Sequence, residues 1–194
     1  MSNQDNQLKQ IKEEVINCQK CSLYRTRYLP VIGQGNHQAR IILIGEAPGA
    51  SEDKNGRPFC GQAGRILDEL LETAGLKREE VYICNILKCR PPQNRDPQKE
   101  EIAACTPYLE KQLKIIQPKI IGSLGNYATA YLLEKYGLKG KIAGISKIHG
   151  QSFEAETDFG PIKIIPLYHP AVAVYNERMK ETLKKDFQIL SQVL

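Results

Sequence analysis

No apolar run in this sequence approaches the roughly 20 residues that a membrane-spanning helix needs. The first ten residues, MSNQDNQLKQ, lack the apolar segment of a signal peptide. Export is therefore not expected, and a cytoplasmic setting is. There is no low-complexity tract, no Gly/Ser linker and no internal repeat, so collagen, coiled coil and wholesale disorder are excluded. One domain over residues 1–194 is expected. No Gly-Lys-Ser/Thr follows a glycine-rich turn, and no strict dinucleotide fingerprint is present, so neither a Walker loop nor that fingerprint marks a phosphate site. A Cys-x3-Cys-x2-Cys run is also missing, which argues against radical chemistry with S-adenosylmethionine.

What is present is an ordinary globular composition, 41% hydrophobic and 25% charged, over 194 residues, enough for a core without staples. Lys and Arg total 27 against 22 Asp and Glu, a formal charge of +5 and a mild bias towards polyanions. The pattern alternates. Helical stripes are expected over Asp5–Ile16, Gln62–Ala74, from Asp96-Pro97 through Leu109, over Asn126–Tyr136 and over a closing segment through Leu190. Apolar runs at Arg40–Gly45, Val81–Ile86, Lys119–Gly122 and Ile162–Pro166 read as strands, the last as the second arm of a hairpin. This predicts an α/β fold, a three-layer α/β/α sandwich around a central, mainly parallel four-stranded sheet. Such sheets bind ligands beyond the carboxyl ends of their strands. Those ends carry Gly45-Glu46-Ala47-Pro48-Gly49, Asn85, Ser123-Leu124-Gly125 and Tyr168-His169-Pro170.

Six cysteines occur, and Cys18-x-x-Cys21 has the spacing of a chelating turn. Cys89 and Cys105, with fifteen residues between them, are the best second pair. Four thiolates hold either a [4Fe–4S] cluster or a zinc ion, and spacing alone does not choose. The alternative is buried apolar thiols, the reading given to Cys60 and Cys84, with Cys84 a reserve ligand. Glu46 is a carboxylate at the sheet rim, either catalytic or merely solvated. Asn85 offers a donor and an acceptor suited to a nucleobase edge. His169 suits a developing anion or acid–base work, or is structural, and Phe59 stacks a flat ligand or caps the core. Lys88, Arg90 and Arg95 flank Pro91-Pro92 in a basic loop, read as a phosphate contact or a solvated surface.

Taken in order, GEAPG, GRPFCGQAG, NILKCRPPQNRDP with the following EIAAC, SLG and YHPA resemble the family 4 uracil-DNA glycosylases, from about Cys18 to Ala171. The resemblance implies a [4Fe–4S] cluster on Cys18, Cys21, Cys89 and Cys105 that ties in the amino-terminal segment. It implies that Glu46 positions water or stabilises a cationic sugar, and that His169 hydrogen-bonds uracil O2. It also makes Phe59 the stacking ring and Asn85 the edge reader, with Gly45 and Ala47 against uracil and Glu52 crowding C5 to exclude thymine. Arg90 and Arg95 become DNA contacts. The implied substrate is uracil in single- or double-stranded DNA, cleaved without a lyase step by a monomer. The implied setting is a prokaryotic cytoplasm, with a sliding clamp or other repair proteins as candidate partners.

The chain departs from the family in two places. Cys60 stands where Val is frequent, and Val172, Ala173, Val174 and Tyr175 replace the usual aliphatic and Arg residues after His169-Pro170-Ala171. The wedge that fills the gap left by a flipped nucleotide is therefore different and unassigned. A covalent DNA adduct is not expected, because the chain has GEAPG rather than GEQPG and lacks an inserted basic, histidine-containing loop. The rival readings are a non-enzymatic metal module that binds nucleic acid and a glycosylase acting on xanthine or hypoxanthine.

Overall fold

The computed structural model describes residues 3–193. Its elements run α1 (Asn3–Ile16), β1 (Gln34–Gly35), β2 (Ile41–Gly45), α2 (Ala50–Asn55), α3 (Gln62–Thr73), β3 (Tyr82–Asn85) and α4 (Lys99–Ile116). There follow β4 (Ile120–Leu124), α5 (Asn126–Lys135), α6 (Ile145–Ile148), β5 (Phe153–Thr157), β6 (Gly160–Leu167), α7 (Ala171–Tyr175) and α8 (Lys180–Gln192). The sheet order is β1-β3-β2-β4-β6-β5.

Strands β3, β2, β4 and β6 run parallel, and each is mostly buried because helices cover both faces. Alternation along β2 feeds two cores. Ile42 and Ile44 meet Leu8, Ile11 and Val15 of α1, Leu109 and Leu113 of α4 and Leu132 of α5. Ile41 and Leu43 meet Leu67, Leu70 and Leu71 of α3 and Leu183, Phe187 and Leu190 of α8. The three-layer sandwich is as expected.

The sheet, however, has six strands rather than four. Two antiparallel edges account for the difference: β1 pairs with β3, and β5 returns against β6 through a tight turn in which Thr157 faces Gly160. The two residues of β1 are too short to carry an alternation signal. Helix α4 also begins later than Asp96-Pro97 suggests. The Gln98 backbone N–H donates to the Glu101 carboxylate (2.9 Å), which Arg95 also grips through two nitrogens (2.5 and 3.0 Å). That capping arrangement sets the start at Lys99. Among the described residues no helix is long and apolar enough to cross a membrane.

Candidate active site

Strands β2 and β3 end side by side, with Gly45 paired to Asn85. Their pairing continues past the sheet: Ile86 N–H donates to the Gly45 carbonyl (2.9 Å) and Leu87 N–H to that of Glu46 (3.0 Å). The two loops are thus held edge to edge, and Glu46 and Asn85 share one rim.

Gly45 is bare backbone for a steric reason. A Cβ there would lie 2.4 Å from Asn85 Oδ1 and 2.9 Å from Phe59 Cζ, so its absence lets both side chains meet over it. Phe59 is held in a left-handed conformation, φ 47°, which a side chain of this size adopts only under compulsion. The compulsion comes from α3, whose first turn packs on the Phe59 backbone; a Cβ on Gly64 would sit 1.9 Å from the Phe59 carbonyl oxygen. The Phe59 ring stands 5.5 Å, centroid to centroid, from that of His169, tilted by 31°.

Asn85 Oδ1 is buried with no hydrogen-bond partner among the described residues. A buried orphan acceptor costs about 1–3 kcal/mol, which a ligand N–H would recover. His169 is chemically specified too. The Ala171 backbone N–H donates to its Nδ1 (3.1 Å), so the ring proton belongs on Nε2. Burial pushes its pKa down to about 4 against the opposing charge of Glu52, leaving a neutral imidazole with one N–H to give.

Glu52 on α2 accepts the backbone N–H groups of Cys60 and Gly61, each at 2.9 Å, and so is fixed beside the Phe59 turn. Burial raises the Glu46 pKa, and the charge of Asp96 raises it further. Asp96 is in turn held by the Tyr127 hydroxyl (2.6 Å), a neighbour that the sequence motifs did not single out. Ala47 is partly buried and packs on the core formed with α1, α4 and α5.

The basic loop is less free than its sequence suggests. Lys88 is completely buried, not solvated, so its side chain is not part of the loop's exposed basic surface. Arg95 spends its guanidinium on Glu101 and on the Asp96 carbonyl, and Arg90 Nε donates to Asn94 (2.7 Å).

Cys18, Cys21, Cys89 and Cys105 line one cavity together with Val15, Leu23 and Tyr108, and no disulfide joins them. Among the described residues no three His, Cys, Asp or Glu side chains close on a single ion; the four thiols surround a shared space instead. Arg27 donates to Cys89 Sγ and the Lys88 backbone N–H to Cys105 Sγ, both at 3.1 Å, which suits thiolates bound to a metal. Without a cation, burial pushes Cys105 up to about 12 and raises Cys21 and Cys89, so they would stay protonated. The donor set, four cysteine thiols, suits a thiolate-bound metal centre, either an iron–sulfur cluster or a zinc ion. Cys84 lies within β3, completely buried and outside this cavity.

These parts define an α/β protein that gathers Glu46, Phe59, Asn85 and His169 at the carboxyl rim of a parallel sheet and four thiols around a separate cavity. Residues 32–191 match the family described as the Uracil DNA glycosylase superfamily. The Type-4 uracil-DNA glycosylase of Sulfurisphaera tokodaii is 46% identical over 187 residues, covering 96% of this chain and 84% of that protein. That of Archaeoglobus fulgidus is 41% identical over 186 residues, covering 96% and 92%. A Type-5 uracil-DNA glycosylase of Thermus thermophilus is 37% identical over 125 residues, covering 57% of each chain. The chain belongs to the type-4 uracil-DNA glycosylases of that superfamily.

Proposed function

We propose that this protein excises uracil from DNA by hydrolysing the N-glycosidic bond, leaving an abasic site in the first step of base excision repair. The unpartnered Asn85 oxygen, buried beside Phe59 and Gly45, is the observation that carries the reading, because uracil N3–H supplies the missing donor.

A base inside a duplex is out of reach, so the nucleotide must swing out at a cost of a few kcal/mol. Phe59 stacks on the extruded ring, and the Asn85 amide pairs with N3–H and O4, offsetting that cost. As the C1′–N1 bond breaks, its electron pair passes into the uracil ring and charge gathers on O2. The neutral His169 donates its Nε2 proton as a hydrogen bond to O2. Glu46, ionised, faces the opposite charge: it stabilises the cationic sugar and orients the water that attacks C1′. Glu52, held by two backbone amides, narrows the C5 side against a methyl group. Water is the attacking group in this scheme, so no lyase step is proposed.

The chain reads as one domain over residues 1–194. Cys18, Cys21, Cys89 and Cys105 would hold a [4Fe–4S] cluster, whose four metal–thiolate bonds tie the amino-terminal segment to the loop after β3 and to α4. Arg90 keeps its terminal guanidinium nitrogens for phosphate. Arg95 contributes mainly by capping α4. Tyr175, 90% exposed at the end of α7, is the large side chain that would fill the gap left by the flipped nucleotide.

The test is cleavage of labelled oligonucleotides holding uracil, thymine, xanthine or hypoxanthine, read as alkali-sensitive breakage. Breakage at uracil alone supports the reading. Breakage only at xanthine or hypoxanthine transfers the pocket to another deaminated base, and tight binding without breakage makes the protein a binding module. The pH profile gives a second check. Glu46 must be ionised and its pKa is raised by burial and further by Asp96, so activity falls as pH drops through a carboxylate value above the ordinary one. In Asp96→Asn the acid limb of kcat/KM is expected to move to lower pH; a limb that stays put, or moves up, contradicts the assignment.

A further inference from the structure

Lys88 is the largest fully buried side chain among the described residues, at 0% exposure. Its ammonium donates to two acceptors, the Asn85 backbone carbonyl (2.8 Å) and the Gln112 side-chain oxygen (2.7 Å). Neither is charged, and none of the ion pairs among the described residues includes Lys88. A cation in a dry core without a counter-charge is strongly disfavoured, so a negative group belongs close by.

The position of Lys88 indicates which group. It lines the cavity of Cys18, Cys21, Cys89 and Cys105, and its positive charge acts on the Cys105 thiol, opposing the effect of burial there. Its own N–H donates to Cys105 Sγ (3.1 Å), and Cys89 follows it in the chain. Four thiolates around an iron–sulfur core carry net negative charge, which is the counter-charge the ammonium lacks. On its other side Lys88 reaches the pocket, for Asn85 is the residue whose side-chain oxygen is left unpaired at the rim. The Gln112 amide completes the hub, donating to the Ile32 carbonyl and to the Tyr82 hydroxyl, each at 3.0 Å. Val31 N–H donates to the Lys88 carbonyl (2.7 Å).

We propose that Lys88 is the internal counter-ion of the cluster site and, through its bond to the Asn85 carbonyl, the positioning residue for the amide that reads the base. The inference rests on the cluster and pocket assignments made above. One buried charge then serves both centres. With the cluster in place the ammonium is neutralised locally and stays in the core, where it holds the end of β3. A nearby cation also favours the more negative, reduced state of a cluster, so Lys88 raises its reduction potential.

The experiment uses the protein purified with its cluster. Iron and acid-labile sulfide are measured first, then the reduction potential by optical and EPR titration, then the rate of iron loss to a ferrous chelator. Two variants are compared with the native chain. Lys88→Met removes the charge. Gln112→Glu keeps the lysine but sets a carboxylate in place of its neutral acceptor. Both are expected to shift the potential negative and to lose iron several-fold faster. Lys88→Met is also expected to raise KM for uracil-DNA several-fold more than it lowers kcat, because binding of the base depends on where Asn85 is held.

Should Lys88→Met fail to assemble a cluster, Gln112→Glu decides alone through its potential. Native potential and native iron retention in a loaded variant would overturn the counter-ion role, leaving the cluster assignment intact. A native protein holding zinc, or no metal, overturns the cluster assignment and this inference together. Uracil excision is scored separately in each case.

Discussion

Asn85→Ala is expected to lower kcat/KM for uracil excision by about 10²–10⁴-fold, with the fold and the affinity for undamaged DNA retained. The estimate follows from what the substitution leaves behind. Uracil N3–H and O4 would lie against the rim beside Phe59 without partners, and each buried unpaired group costs about 1–3 kcal/mol. Every ~1.4 kcal/mol is a factor of ten. The free protein already bears part of this cost, since Asn85 Oδ1 has no partner among the described residues. Removing that oxygen therefore relieves the unliganded protein, and thermal stability is expected to hold or rise slightly. Loss of excision with no loss of melting temperature is the signature of a side chain kept for its ligand. A variant that excises uracil at the native rate would show that the base is read elsewhere.

His169→Phe is expected to lower kcat by about 10²–10³-fold, the range seen when one donor to a developing oxyanion is removed. Phenylalanine keeps a flat ring beside Phe59, so KM should change much less than kcat. The pH dependence separates two mechanisms. An imidazole whose pKa lies near 4 stays neutral throughout the neutral range, so the native rate should not decline as pH rises through 6 to 8. An imidazolium acting as a proton donor would instead lose activity across that interval. A falling native profile, abolished in His169→Phe, would replace the neutral-donor account with acid catalysis. The tautomer is part of the argument: with Nδ1 engaged by the Ala171 N–H, only Nε2 can donate.

The sequence made much of this arrangement legible, and physical reasons account for what it hid. Strand β2 is apolar on both faces because helices cover both, so an unbroken run declared it. The stripe of α3 declared its buried face in the same way. The edge strand β1 is silent, since two residues have no period, and α4 starts later than Asp96-Pro97 suggests because Glu101 caps Gln98 from within the helix. At the rim, the strand ends located Glu46, Asn85 and His169, while nothing in the residue order revealed that Asn85 Oδ1 stands alone or that His169 is fixed as one tautomer. Lys88 is the residue whose sequence context disguises its burial most. Beside Cys89, Arg90 and two prolines it looks like loop charge, yet it lies within an unbroken buried stretch from Val81 to Cys89. The apolar residues on either side of Asn85 were the available signal.

The glycine joints also determine where the cleft can change. Its floor at Gly45 admits no side chain without displacing Asn85 or Phe59, and the Gly64 contact admits none without displacing the Phe59 backbone. Those two sides are closed to gradual variation. Glu52 is different, because its carboxylate is secured by hydrogen bonds to Cys60 and Gly61 that a glutamine oxygen would also accept. A lineage drifting towards a bulkier or differently substituted base would therefore travel along the Glu52 side, one substitution at a time, with the rest of the cleft inherited unchanged.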